Sequence, residues 1–271
     1  MADEVRFAAD LFRGSAGYYE RYRLPYPEAM LADLVVRAGV SPRGRLLDLA
    51  CGTGQLAFPL RRWFAEVWAV DQEPDMVELV RAKATAGGAG EVRAIVSSAE
   101  TLRAEPEYFE LAVIGNAFHR LDRDLTAGRV FGWLKPGGHL ALCWTSQPWD
   151  GEADWQRALA ALLDRWRTAL GAQGRIPAGW DLARQRRPDL QVLSDAGFEA
   201  AGCHEFPAEH RWTRPELAGL IRSTSFLPAS VLGDHGAAFD ADLEATVGPH
   251  GDGGAFTETA SFNYELARRP A

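Results

Sequence analysis

Between Leu46 and Ala57 the chain reads LLDLACGTGQLA, with an acid, Asp48, shortly before two glycines, Gly52 and Gly54. Glycines after a short apolar run permit positive φ and let the backbone approach a ligand closely. G-T-G-Q-L-A satisfies the dinucleotide fingerprint G-x-G-x-x-G/A. A second acid, Asp71, follows 17 residues after Gly54, where a carboxylate can accept hydrogen bonds from ribose hydroxyls. Asp71 suits a nicotinamide dinucleotide and a simpler adenosine ligand alike; Asp48 separates them. A pyrophosphate over a helix N-terminus carries two negative charges, and a carboxylate beside it adds repulsion of about 4 kcal/mol per close pair at an effective dielectric of 20. S-Adenosyl-L-methionine has an adenosine, a sulfonium and an ammonium but no phosphate. A nearby carboxylate favours those cations, and the methionine carboxylate can take the loop amides.

Such residues need strand ends and loops to carry them. Residues 45–50, RLLDLA, read as a short buried strand and Gln55 to Phe64 as a helix. Val67 to Asp71 is a second strand. Glu73 to Ala86 is a helix with Met76, Leu79 and Val80 on one face. Val92 to Val96 and Phe109 to Gly115 are further strands, Asp124 to Leu134 a helix, Lys135-Pro-Gly-Gly a turn, and His139 to Trp144 a fifth strand. Strands alternating with helices of about a dozen residues predict βαβ units and a parallel sheet. Right-handed crossovers then place helices on both faces, and ligands bind beyond the carboxyl ends of the strands.

After Trp144 the pattern changes. Asp154 to Leu170 reads as a long helix, followed by a Gly/Pro/Arg-rich stretch; six of the nine tryptophans lie between Trp133 and Trp180. This composition predicts a helical lid over 145–190 in which most rings pack a core and one or two face a ligand. Arg186-Arg187 reads as a solvated pair. Residues 198–212 read as a strand, Arg214 to Ser223 as a helix with Pro215 in its first turn, and Phe256 to Ala267 as a final strand. The expected organisation is one domain over 1–271, with 1–30 as an N-terminal helical cap.

Of 271 residues, 47% are hydrophobic and 24% charged, the composition of an ordinary globular protein. The three cysteines form no CxxC pair, so neither a disulfide framework nor a zinc site is indicated, and no other metal constellation is in view. The opening MADEVRFAADLF does not look like a secretory leader, and no apolar run approaches a membrane span. A cytoplasmic protein, without a membrane partner, is expected. A net charge of −8 without a basic block weighs against nucleic acid. A monomer or homodimer fits equally.

Five stretches match a family in order and spacing: LLDLACGTG, VWAVDQEPDM, SSAETL, IGNAFHRLD and LKPGGHLAL, spanning residues 46–142. Together they resemble class I S-adenosylmethionine-dependent methyltransferases. The small-molecule branch related to trans-aconitate and quinone-biosynthesis methyltransferases is the nearest likeness, and YYERYRLPYPEAML is similar to that branch's opening. The resemblance implies an α/β, Rossmann-like doubly wound seven-stranded sheet, mostly parallel with the last strand antiparallel, and a helical lid insertion. It implies that Ala50, Gly52 and Gly54 approach the methionine moiety and that Asp48 orients its amino end. Asp71 holds the ribose with Gln72 beside it, Met76 lies against adenine, Ala99 and Glu100 meet the adenine edge, and Asn116 lines the pocket. Tyr19 and Arg23 close over the methionine end. Ala50 stands where many members have glycine, and Arg120 where this branch often has tryptophan.

Methyl transfer is an in-line displacement that needs the acceptor atom near 3 Å from the methyl carbon and profits from a dry pocket as the sulfonium loses its charge. His119, just beyond the fourth strand, is the candidate general base, with a purely packing role as the alternative. The place after that strand lacks the Pro-Pro-aromatic run or Pro-Cys pair of DNA-modifying relatives. A small organic acceptor, through a hydroxyl or carboxylate, is expected. The alternatives are a cofactor-binding protein that catalyses a non-methylating reaction such as cyclisation, and an NAD(P)-dependent oxidoreductase.

Overall fold

The computed structural model describes residues 7–271; the MADEVR opening lies outside them. The chain begins with α1 (Ala16–Tyr22) and α2 (Glu28–Ala38), the latter ending on Gly39 at φ 59°. The alternating part follows: β1 (Arg45–Leu49), α3 (Ala57–Leu60), β2 (Glu66–Asp71), α4 (Pro74–Ala86), β3 (Val92–Val96), β4 (Phe109–Gly115), α5 (Arg123–Trp133) and β5 (Leu134–Thr145). Asp122 caps α5 by accepting the Leu125 N–H at 3.0 Å. Next come α6 (Asp154–Ala169), α7 (Trp180–Arg186) and α8 (Asp189–Asp195), then β6 (Glu199–Thr213), α9 (Arg214–Arg222), α10 (Ala229–Leu232), α11 (Gly236–Val247) and β7 (Ala255–Arg268).

The seven strands form one sheet in the order β3-β2-β1-β4-β5-β7-β6. Pairings from β3 through β5 are parallel, and β7 is antiparallel to both β5 and β6. This is the mostly parallel, doubly wound sheet expected. The KPGG stretch, expected as a turn, is an excursion within β5: the register against β4 shifts between Phe109 and Leu111, and Gly137 takes φ 78°. The chain leaves the ladder at Lys135 and rejoins it at His139.

Apolar side chains collect in three clusters. Two lie on opposite faces of the sheet, one against α2, α3 and α4, the other against α5 and α8. The third joins α6, α9, α10 and α11 with Trp212 and Phe256 from the ends of β6 and β7. The helical layer thus draws on residues 214–250 as well as the expected 145–190. A capping box starts α9: Thr213 Oγ1 accepts the Glu216 N–H, and the Glu216 carboxylate accepts the Thr213 N–H at 2.7 Å. No helix among the described residues is long and apolar enough to cross a membrane.

The lid helices are tied to the sheet layer by Asp189, 2% exposed, which accepts from Arg123 Nη1 at 2.9 Å and Arg184 Nε at 2.7 Å. Arg187, one of the pair read as solvated, instead grips Asp124 and Asp195, while Arg186 is exposed. Removing a buried carboxylate leaves its cations uncompensated. Asp189→Ala is expected to lower unfolding stability by about 3 kcal/mol and Arg186→Ala by less than about 0.5 kcal/mol, both measured by urea denaturation.

Candidate active site

Strands β1, β2 and β4 end at one rim, and a cavity of about 280 Å³ lies there. Ala50 and Gly52 beyond β1, Asp71 and Gln72 at β2, Met76 from α4, Ala99 and Glu100 beyond β3, Asn116 beyond β4 and Tyr19 from α1 all line it. Four of the residues singled out in the sequence do not. Asp48 lies beneath the loop, 1% exposed. Gly54 turns the loop at φ 84°, where a Cβ would meet the Phe58 ring at 2.8 Å. Arg23 lies behind Tyr19, over whose ring its guanidinium sits at 4.9 Å. His119 packs beside the wall.

Two carboxylates hold the glycine loop. Asp71 Oδ2 accepts the Gly52 N–H at 2.8 Å and its Oδ1 the Glu73 N–H at 2.9 Å. Asp48 Oδ2 accepts the Ala57 N–H at 2.8 Å. The Cys51 N–H goes to Val70 O and the Gly54 N–H to Cys51 O. Four amides of the loop are therefore spent internally, and the expectation that a ligand carboxylate takes loop amides loses these donors. Burial, with the Asp71 charge adding to it, pushes the Asp48 carboxyl up to about 7 despite the Ala57 hydrogen bond. Burial also raises Asp71, against its three backbone donors.

Two non-glycine residues on the rim adopt positive φ: Ala50 at 56° and Asn116 at 51°. The first explains why glycine is the residue otherwise expected there. The second is held by its side chain, whose Oδ1 accepts the Thr145 N–H at 2.9 Å and whose Nδ2 donates to Tyr26 Oη at 3.2 Å. Such conformations cost of order 1–3 kcal/mol each and persist where surroundings enforce them.

The cavity roof is a segment the sequence reading passed over. Phe7, Ala8, Ala9, Leu11 and Phe12 line it. Gln72 Nε2 donates to Ala9 O at 3.0 Å, Arg175 Nη2 to Leu11 O at 3.0 Å, and the Gly14 N–H to Asp75 Oδ2 at 3.1 Å. The signal available was two phenylalanines in FAADLF ahead of any patterned element. None of the lining residues is a tryptophan: the aromatic wall expected from the tryptophan-rich lid comes from Phe7 and Phe12. Trp155 and Trp212 are core, while Trp144 and Trp180 flank the His119 ring at centroid distances of 5.5 and 5.0 Å. Among the described residues that imidazole has no partner on Nδ1. Burial, then the charges of Arg120, Arg184 and Arg123, lower its pKa well below the usual value. It is a neutral ring in an aromatic sandwich, the geometry of the packing alternative. No group of three or more potential metal ligands occurs among the described residues.

The profile of one protein family fits residues 46–138, from β1 to the excursion in β5, and its description is methyltransferase domain. Over this segment the chain is similar to methyltransferase domains. An uncharacterized methyltransferase of Mycobacterium tuberculosis is 30% identical over 154 residues, 57% of this chain and 59% of that protein. A demethylmenaquinone methyltransferase of Thermus thermophilus is 37% identical over 101 residues, 36% of this chain and 46% of that protein. The chain thus spans less than two thirds of either relative. The solved structure of the [4+2]-cyclase SpnF aligns with a TM-score of 0.56 at 19% identity, covering 99% of this chain and 98% of that one. That likeness is one of fold, and fold alone does not assign a reaction.

Asp48 lies in the matched segment, and its titration has a consequence for stability. Below about pH 4 the carboxyl is protonated folded or unfolded. As pH rises towards 7, the folded group keeps a proton that the unfolded one has lost, so its contribution to stability falls through that window and levels above it. Asp48→Asn removes this titration while retaining an oxygen for the Ala57 N–H. It should stabilise the unliganded protein at pH 8 relative to pH 4.5, by at most about 4 kcal/mol, measured as the difference between wild-type and variant denaturation curves at the two pH values.

Proposed function

We propose that the chain binds S-adenosyl-L-methionine in this cavity and transfers its methyl group to a small organic acceptor, through a hydroxyl or carboxylate. The observation that carries this reading is the inward commitment of four loop amides, two of them to the carboxylates of Asp48 and Asp71 and two to backbone carbonyls. A pyrophosphate needs donors and positive potential at that loop; here it meets carboxylates and spent N–H groups. An adenosine ligand with a cationic tail meets no such conflict.

When bound, the cofactor supplies an electrophilic methyl on a sulfonium. The residues of the chain bind, orient and exclude water. Asp71 keeps a second lone pair on each oxygen for ribose hydroxyls. Met76 and Ala99 provide apolar walls for adenine, with Glu100 at its edge and Gln72 beside the ribose. Ala50, Gly52 and Asn116 allow the backbone to approach the methionine end, and Tyr19, with Arg23 behind it, closes that end. Phe7, Leu11 and Phe12 keep the reacting region dry. His119, held between Trp144 and Trp180, supports the wall through its edge-on contact with Phe7 at 5.7 Å.

Isothermal titration with S-adenosylhomocysteine and NAD tests the cofactor half. The adenosine thioether should bind and NAD should not; tighter binding of NAD overturns the reading. Asp71→Ala should weaken binding by about 1–3 kcal/mol, with a thermal melt to separate loss of the ribose contacts from release of the Gly52 loop. A cationic ligand draws Asp48 to its carboxylate, so binding of S-adenosylmethionine should release a proton and tighten as pH rises to about 7, then level off; Asp48→Asn should abolish that dependence. Methyl-labelled cofactor incubated with hydroxyl and carboxylate acceptors tests the transfer: label in the product separates it from a cyclising enzyme of the same fold.

A further inference from the structure

The loop from Ser223 to Ser225 collects three arginines from distant parts of the chain. Arg23 donates through Nε to Ser223 Oγ at 2.9 Å and through Nη2 to Ser223 O at 3.1 Å. Arg175 Nε donates to Ser225 O at 2.7 Å, and Arg120 Nη2 to Ser225 Oγ at 3.1 Å. The loop itself is buried. No carboxylate of the described residues forms an ion pair with Arg120, and in a chain of net charge −8 that is a selective omission.

Arg120 is the member of this group that lines the cavity. Its Nε and Nη1 are buried and have no hydrogen-bond partner among the described residues. The guanidinium carbon lies 5.1 Å from the Phe7 ring centre and 4.9 Å from that of Phe12. Burial and the nearby Arg23 charge press its pKa down to about 10, so it remains cationic at neutral pH. A buried cation held by one hydroxyl and two aromatic faces is undercompensated: cation–π contacts offset part of the desolvation, and the unused Nε and Nη1, each next to Nη2, leave N–H donors on both bidentate edges of the guanidinium for a planar or tetrahedral oxyanion.

We propose that Arg120 anchors an oxyanion, a carboxylate or phosphate, carried by the acceptor molecule, so that the substrates of this site are small organic acids or phosphate esters. The inference rests on the methyl-transfer reading for the word acceptor, while the anion site itself stands on the cavity geometry. The cofactor's own carboxylate is the other source of such a group. Arg120 is flanked by Phe7, Phe12 and Leu121, walls suited to the body of an organic acid, and the titrations below tell the two sources apart.

The test is calorimetry on the full chain saturated with S-adenosylhomocysteine, titrated with benzoate, phenyl phosphate and benzamide. At least one anion should bind about tenfold or more tighter than benzamide, a preference that Arg120→Gln removes and Arg120→Lys keeps in part. Affinity for S-adenosylhomocysteine should change less than about threefold in either variant. No preference for the anions in the wild type, or a preference that Arg120→Gln retains, overturns the proposal; the wild-type comparison holds even if a variant fails to fold. A loss of S-adenosylhomocysteine affinity above about tenfold in Arg120→Gln, with 5′-methylthioadenosine binding unchanged, assigns the guanidinium to the cofactor carboxylate and equally overturns it. Failure of the wild type to bind S-adenosylhomocysteine counts against the methyl-transfer reading instead, and the same anion titration on the unliganded chain still decides the role of Arg120.

Discussion

The loop between β1 and α3 is fastened at both ends by carboxylates, Asp71 on the Gly52 N–H and Asp48 on the Ala57 N–H. Everything at the rim depends on this fastening. It fixes Gly52 under Tyr19, where a Cβ would stand 3.2 Å from the ring, and it sets the left-handed turn at Ala50. It also creates an electrostatic conflict, because two acids share a poorly solvated space. The fold resolves the conflict partly by backbone donors and partly by letting Asp48 hold its proton near neutrality. A ligand that brings positive charge relieves what remains. Cofactor preference and the mechanics of the loop are therefore one property of the same two side chains.

The parallel half of the sheet was legible because its signals are local. Buried apolar runs of five to seven residues mark β1, β2 and β4 directly, and the acids of the first two, Asp48 and Asp71, hold the glycine loop. KPGG reads locally as a turn, but it lies within β5, and the pairing of Leu134 with Phe109 on its near side makes it an irregularity of a longer strand, which only the neighbouring strand can reveal. Helix α11 carries Phe239, Leu243 and Val247 at helical spacing, yet glycines at both ends disguise it as loop. The roof was illegible for a different reason. Phe7 to Phe12 have no regular structure of their own, and hydrogen bonds from Gln72 and Arg175 place them.

The tryptophans show how composition misleads when contact is not known. Their density in the middle of the chain suggested core packing with one or two rings on a ligand; their large surfaces serve the helical layer and the His119 sandwich, and none lines the cavity. His119 has the residue type and position of a base, and burial between rings changes what that position can do. Arg120, by contrast, was visible in the sequence as a departure from the branch's pattern. The structure turns the departure into a buried cation beside the cavity.

The strand order carries a consequence for how the chain is made. Strand β7 is last in sequence but sits inside the sheet, between β5 and β6. Strand β6 pairs with β7 alone, so a ribosome that has delivered residue 213 has delivered a strand with nothing to pair against. The open edge of β5 and the whole of β6 must wait for the final segment, and long-range pairing of this kind is intrinsically slow and exposed to aggregation. The loop that gathers the three arginines lies between those two strands. Strand β7, far from the rim in sequence, acts as the keystone that joins β6, and the arginine-gathering loop after it, to the parallel half of the sheet.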